Sequence, residues 1–423
     1  MILIVIILFM TVSLIGNAQT LPIKRSNIMR PVDSPRKAAC RFTDGIGKTI
    51  VVTKYTPGLD YNVYSKRLVE SANKGNSKAQ FALWYLYHYG QSVNVNDVIA
   101  VKYLKMAANK GLSPALYQLG ICYLDGTGIV KDEARAVKCF EQASYKKDMN
   151  AQTYLAWCYY KGIGISKNRQ KALLLYKEAA DKGIATAQCV IGIAYRNGID
   201  FPCDKDKSLK YFQMAANQGD GQAQYELANY WLDDVYAETN IDLRNYTMVF
   251  EYLKKSVENG FIPALESLGE CYSLGIGTEK DHHMAFVYFK QAADKGFEQS
   301  MFECYMLMKA GVGTNVDLQG AWIYLNKSAS KGNPFAKHEL ARAYFEGNNA
   351  KQNLDLAFKL FSEAANSGCF FSYSYMGLCY EGGLGVDKDI KKAIMWYEKA
   401  SNSPGEDREG ILKHIRVLKE IGN

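Results

Sequence analysis

A fixed internal spacing constrains this chain more than any other feature. Segments led by a small residue begin at Ala79, Ala115, Ala151, Ala187, Ala223, Ala264, Ser300, Ala336 and Ser372. Every step is 36 residues except the 41 between Ala223 and Ala264. A period of this size marks stacked helical units, none of which can bury its apolar face alone. The expected architecture is all-α: a right-handed superhelical solenoid of about nine antiparallel helix pairs with a 36-residue period.

Within each unit, positions are counted from the leading small residue. Position 5 is apolar (Leu83, Leu119, Leu155, Ile191) and position 9 is almost always aromatic (Tyr87, Tyr123, Tyr159, Tyr195). An offset of four places both on one face of a first helix, helix A. Position 6 is often glycine (Gly120, Gly192, Gly269, Gly377), which lets a neighbouring helix come close. Helix A is expected to stop at a glycine such as Gly90, Gly126, Gly162 or Gly383, the residue that most easily takes the left-handed terminating conformation. Position 18 is Asn or Asp throughout, from Asn96 and Asp132 through Asn245 to Asp389, and reads as the N-cap of a second helix, helix B. Helix B carries Ala at position 22 and a large residue at position 26, as in Phe140, Tyr176, Phe212 and Phe289.

Segments such as AQTYLAWCYYKGIGISKNRQKALLLYKEAADKG (151–183) and ALESLGECYSLGIGTEKDHHMAFVYFKQAADKG (264–296) resemble the Sel-one-like repeat family, relatives of the tetratricopeptide repeats. The resemblance runs over about residues 60–402. It implies an α-solenoid adaptor with no catalysis and no cofactor of its own, serving as a scaffold for a protein or peptide partner. By analogy with tetratricopeptide repeats, helix A lines a concave surface and positions 3, 7 and 10 face it. In the early units these are Phe81, Tyr85, His88, Tyr117, Ile121, Leu124, Trp157, Tyr160 and Tyr225; later they are Glu266, Glu270, His338, Arg342, Phe345 and Glu381. Exposed aromatics of this kind anchor interfaces, so the candidate groove is Phe81, Tyr85, Tyr117, Trp157, Tyr160 and Tyr225, joined by Arg342. The alternative is that curvature buries these rings between adjacent A helices.

Outside the repeats, residues 1–18 (MILIVIILFMTVSLIGNA) read as a signal peptide ending in small residues, which implies export to a periplasm or the exterior. Residues 19–54 form a basic leader in which the DGIG turn of the alternating run 38–54 implies a β-hairpin. The solenoid follows over 55–407 and a capping helix over 408–423. The net charge of +8 is uneven: residues 1–54 hold eight Lys/Arg against Asp33 and Asp44, leaving +2 for the rest of the chain. The repeats therefore carry no basic stripe of the kind nucleic acid requires, and no nucleic-acid partner is expected. Once the signal peptide is removed, no membrane span is expected either.

The chemistry-bearing residues give little. The five histidines show no metal spacing and no cysteine pair sits at C-x-x-C, so no metal is expected. Gly47-Lys48-Thr49 lacks the earlier glycine of a phosphate loop, with Phe42 in its place. Of ten cysteines, Cys122, Cys158, Cys271 and Cys379 fall at position 8, where other units have alanine, and read as small buried residues. Ser-x-x-Lys pairs occur at Ser34/Lys37, Ser71/Lys74, Ser144/Lys147 and Ser328/Lys331 without the companion motifs of a serine hydrolase. The second functional reading is an envelope factor binding a glycan or peptidoglycan fragment on Trp157 and the groove tyrosines; a Ser-Lys hydrolase is a distant third. The single irregular unit carries its extra residues within Leu232–Asn245, read as a solvated acidic loop.

Overall fold

A computed structural model of the chain describes residues 40–43, 49–52, 61–90, 93–237, 243–403 and 407–421. The expected signal peptide and the turn of the leader hairpin lie outside the described residues. Two strands, β1 (Cys40–Thr43) and β2 (Thr49–Val52), pair antiparallel with Cys40 opposite Val52 and Thr43 opposite Thr49. All other described elements are helices. They form two units, one built on Leu21–Asp234 with Glu258–Gly260 and one on Val235–Val257 with Phe261–Asn423.

In the N-terminal unit the order is α1 (Tyr61–Asn73), α2 (Ser77–Tyr89), α3 (Asp97–Asn109), α4 (Ser113–Asp125), α5 (Glu133–Tyr145), α6 (Met149–Lys161), α7 (Arg169–Asp181), α8 (Ala185–Asn197), α9 (Lys205–Asn217) and α10 (Gly221–Ala237). In the C-terminal unit it is α11 (Leu243–Glu258), α12 (Ala264–Leu274), α13 (His282–Asp294), α14 (Glu298–Ala310), α15 (Leu318–Ser330), α16 (Pro334–Glu346), α17 (Leu354–Asn366), α18 (Phe371–Gly382), α19 (Ile390–Ser401) and α20 (Arg408–Ile421). Consecutive helices pack on one another from α1 to α9 in the N-terminal unit and from α12 to α20 in the C-terminal unit.

The caps follow the sequence. Helix A ends at Gly90, Gly126, Gly162, Gly198, Gly275, Gly311, Gly347 or Gly383, each left-handed. Helix B starts where an Asp or Asn side chain accepts from a backbone N–H three residues on: Asp132 from Arg135, Asn168 from Lys171, Asp281 from Met284. The irregular unit departs from this scheme. Its extra residues lengthen helices rather than form a loop: α10 runs 17 residues and α11 runs 16. Helix α11 begins at Leu243, so Asn245 lies inside its first turn and is not the expected N-cap. Only 238–242 of the expected loop falls between the helices, outside the described residues.

In each unit the core lies between helices A and B. The leading Ala or Ser is buried in every unit, as is the large position-26 residue, Phe140, Tyr176, Phe212, Phe289 and Phe361 among them. Burying one such ring stabilises the fold by about 2–3 kcal/mol, and the position-6 glycines make room for it. The position-8 cysteines Cys122, Cys158, Cys271 and Cys379 are buried, as small packing residues. Among the described residues, no helix is long and apolar enough to cross a membrane.

Candidate functional site

Two rows of A helices carry the candidate residues, one in each unit. In the N-terminal unit, α2 opens with an aromatic stack. The half-buried Phe81 ring lies 4.9 Å from Trp84, and Trp84 lies 5.6 Å from His88 at an interplanar angle of 12°. His88 Nδ1 is 2.6 Å from Asp97 Oδ1, which fixes the ring at the head of α3. Tyr85 is half-buried and leans on the exposed Tyr89, their centroids 4.6 Å apart.

On α4 the structure corrects the sequence expectation. Tyr117 is 7% exposed and packs edge-on against Tyr154, 5.5 Å away, and against Phe140, 6.3 Å away. Position 3 of one A helix here meets position 4 of the next, so Tyr117 belongs to the core rather than to a groove surface. Leu124 is buried too, while Ile121 is half-buried. On α6, Trp157 and Tyr160 remain half-buried. The Trp157 indole Nε1 is shielded and has no hydrogen-bond partner. The Tyr160 ring is flanked by Lys161 Nζ and the Arg169 guanidinium, each 5.6 Å from its centroid. Tyr225 on α10 is half-buried.

Sequence reasoning missed the ion pair that follows on this row. Arg196 Nη1 of α8 meets Glu226 Oε2 of α10 at 2.5 Å, with Glu226 buried. Burial pushes the Glu226 carboxyl up and Arg196 pulls it down, the burial effect being the larger. Arg196 stands at position 10 and Glu226 at position 4 of the next unit, so a charge at each of these positions was the signal available.

The C-terminal unit presents polar side chains instead. Ser300 Oγ donates to Glu266 Oε2 at 2.5 Å, and Gln299 Nε2 to Glu303 Oε1 at 2.7 Å. Burial, reinforced by Glu266 and Glu303, raises the Glu270 carboxyl to about 8; burial raises Glu303 to about 7. His338 is buried, its Nδ1 3.0 Å from Ser372 Oγ, and burial lowers it to about 4. Arg342 is not a free groove cation: it binds Glu339 at 3.0 Å and Glu346 at 3.4 Å. Glu339 also accepts from the Tyr305 hydroxyl at 3.0 Å. Phe345 is half-buried, its ring 6.0 Å from Phe361. Glu381 is held by the Tyr397 hydroxyl and His414 Nε2, both at 2.9 Å, and so ties the A row to α20.

The Ser372 hydroxyl that meets His338 is, like the imidazole, buried in the core. The Ser328 hydroxyl of the Ser-x-x-Lys pairs is fully buried and donates to the Glu298 carbonyl at 2.6 Å. It is a packing residue.

Paired, capped helices with side chains projecting from an A-helix row define an α-helical repeat protein. The Sel1 repeat model matches residues 77–112, 113–148, 150–184, 185–220, 262–297, 304–333, 334–369 and 371–403, and the chain belongs to the Sel1 repeat family. Proteins of this family generally act as protein–protein interaction scaffolds. The gap between the fourth and fifth matches coincides with the unit of lengthened helices.

Among solved structures the chain is similar to c5321, a protective antigen present in uropathogenic Escherichia coli strains displaying an SLR fold. The identity is 24% over 79% of each chain, with a TM-score of 0.53. It is also similar to a Sel1 repeat protein from Oxalobacter formigenes at 23% identity, over 59% of this chain and 96% of that one, with a TM-score of 0.49. At these identities the likeness shows the fold alone. A search of the curated proteins found no match.

Proposed function

We propose that this chain is an exported, non-enzymatic scaffold that holds a protein or peptide partner on the A-helix row of its N-terminal unit. Phe81, Tyr85, Trp157, Tyr160 and Tyr225 are the anchors; Tyr117 supports them from the core. The observation that carries this reading is the state of Trp157 and Tyr160. Both are large, only half-buried, and adjacent on α6, and the Trp157 indole N–H is shielded from water without a protein acceptor. A partner that covers the pair gains the half-exposed apolar area of both rings. In the C-terminal row the corresponding polar side chains are already engaged, Arg342 with Glu339 and His338 with Ser372. The reading of residues 1–18 as a signal peptide supports export, and the lack of a long basic stripe in the repeats supports a protein rather than a nucleic-acid partner.

A photo-crosslinking amino acid placed at position 160 of the full chain tests this directly. It is expected to capture one major partner from the compartment the protein occupies. The same group at Tyr145, which is 90% exposed at the end of α5, is expected not to. Equal capture from both positions would contradict an A-helix site.

A further inference from the structure

The A–B corner of the third unit departs from a charge pairing that three other units keep. Position 21 holds a cation in four described units, and in three of them it is paired with the Asp at position 18. These are Arg135 with Asp132 at 3.1 Å, Lys207 with Asp204 at 3.0 Å and Lys392 with Asp389 at 3.3 Å. In the third unit position 18 is Asn168, and Lys171 instead donates to the Tyr159 hydroxyl at 2.7 Å, its Nζ 4.3 Å from that ring. Positions 17 and 19 repeat the departure. In the second unit Lys131 pairs with Glu133 at 2.9 Å; in the third the equivalent residues are Lys167 and Arg169, two cations. Lys161 stands where the second unit has Asp125. From residue 149 to residue 177 the chain has no Asp or Glu. Lys161, Lys167, Arg169 and Lys171 are all exposed, and none has a carboxylate within ion-pair distance among the described residues.

These cations lie beside the proposed aromatic anchors. Lys161 and Arg169 both sit over Tyr160, one helical turn from Trp157. The patch is also narrow. On one side, the loop at Gly164 lies against the start of α5, where an added methyl would come 2.2 Å from the Glu133 carbonyl oxygen. That side carries Asp132 and Glu133. The equivalent corner of the fourth unit carries Asp200, Asp204 and Asp206. The flanking carboxylates Asp132, Glu133 and Asp204 are already held by Arg135, Lys131 and Lys207, so the unmatched cations lie between neutralised corners and suit a short acidic segment.

We infer that the third unit recognises an acidic segment of a protein partner, its carboxylates on Lys161, Lys167, Arg169 and Lys171 and an adjoining aromatic or aliphatic side chain on Trp157 and Tyr160. This deepens the proposed function and rests on that reading for its apolar half. The cations themselves contribute independently of it.

Fluorescence anisotropy on the full-length protein tests the inference. The probe is a short fluorescein-labelled peptide with two carboxylates on each side of a central Phe; its controls are the isosteric Gln/Asn peptide, a Lys-flanked peptide, an oligo-dT and phosphatidylglycerol vesicles. The acidic peptide is expected to bind best. Lys161→Gln with Arg169→Gln should weaken it by about five- to tenfold, the scale of two exposed ion pairs, with circular dichroism unchanged. The reversed variant, Lys161→Glu with Arg169→Glu, should prefer the Lys-flanked peptide. Equal binding of the acidic and amide peptides to the wild type would overturn the charge inference while leaving the aromatic reading intact. Undiminished binding of the acidic peptide by the Gln variant, tighter binding of oligo-dT or vesicles than of the peptide, or no binding of any probe would each overturn it as well. The crosslink at position 160 reports on the aromatic reading separately.

Discussion

The edge of the Phe140 ring rests on the α-carbon of Gly120: a methyl group at that glycine would lie 2.5 Å from Phe140 Cε1. The same pairing recurs as Gly192 with Phe212 at 2.7 Å and Gly377 with Tyr397 at 2.6 Å. It sets how closely helix B seats on helix A within a unit. Gly120→Ala is therefore expected to destabilise by about 1–3 kcal/mol through overpacking, although alanine favours a helix by about 1 kcal/mol. Phe140→Ala should cost about 3–5 kcal/mol by leaving a cavity. Denaturant titrations of the two single variants and the double variant check this. The double variant should lose less than the sum, because the clash disappears with the ring; a stabilised Gly120→Ala would show that the contact is loose.

The N-caps make a second, local prediction. Asp132 Oδ1 accepts from the Arg135 N–H and Asp281 Oδ1 from the Met284 N–H, each at 2.9 Å. Alanine at either site should cost about 1 kcal/mol, and asparagine much less. Hydrogen exchange should show the loss concentrated in α5 for Asp132→Ala and in α13 for Asp281→Ala, since units of a repeat array contact mainly their neighbours. Uniform loss of protection across the chain would contradict this.

Glu270 gives the C-terminal unit a pH dependence of definite sign. Its folded value of about 8 lies above the ordinary 4.5. Between those values the folded protein keeps a proton that the unfolded chain has released, so this group's contribution to stability falls as pH rises through the window. Glu303, raised to about 7, acts in the same direction. His338, lowered from 6.5 to about 4, acts oppositely: its contribution is lost as pH falls across that interval. Glu270→Gln should therefore raise the melting temperature at pH 8 more than at pH 5, by an amount corresponding to about 1–2 kcal/mol. A variant less stable than the wild type at pH 8 would contradict the burial of that carboxyl.

Much of the fold was legible because the period, the caps and the alternation of large and small residues repeat many times, so each assignment is tested by the next unit. Gly126, Asp132 and Phe140 stand at positions whose roles recur along the chain. The irregular unit had no such support, and its acidic insert reads as a loop in sequence because it stands in place of the usual Gly-x-Gly loop. In the structure α10 continues through Asp233 and Asp234 to Ala237. The site was less legible, because whether a position-3 or position-7 side chain is exposed depends on what the next unit offers it. Ser300 and Ser372, the two departures from a leading alanine, both face a polar position-3 residue of the preceding unit, Glu266 and His338. Comparing position 1 with the preceding position 3 would have revealed these pairs. Tyr117 offered no such clue within its own unit, since its burial follows from Tyr154 of the next one, at a position that Tyr375 also fills with an aromatic.

Export makes a simple prediction. Sequencing the mature protein should find a first residue at or near Gln19, after the Gly16-Asn17-Ala18 stretch. An intact Met1 in a soluble cytoplasmic fraction would contradict export without touching the scaffold reading.

The central claim is that Trp157 and Tyr160 bind a partner rather than hold the fold. Once the partner captured from position 160 is purified, calorimetric titration against the wild type and the Trp157→Ala/Tyr160→Ala variant measures this directly. The account predicts an affinity loss of about a hundredfold, the scale of two interface anchors, with helical circular dichroism and melting temperature close to the wild type. Unchanged affinity, or a variant that unfolds as Phe140→Ala does, would place these two aromatics in the core with Tyr117 and contradict the account.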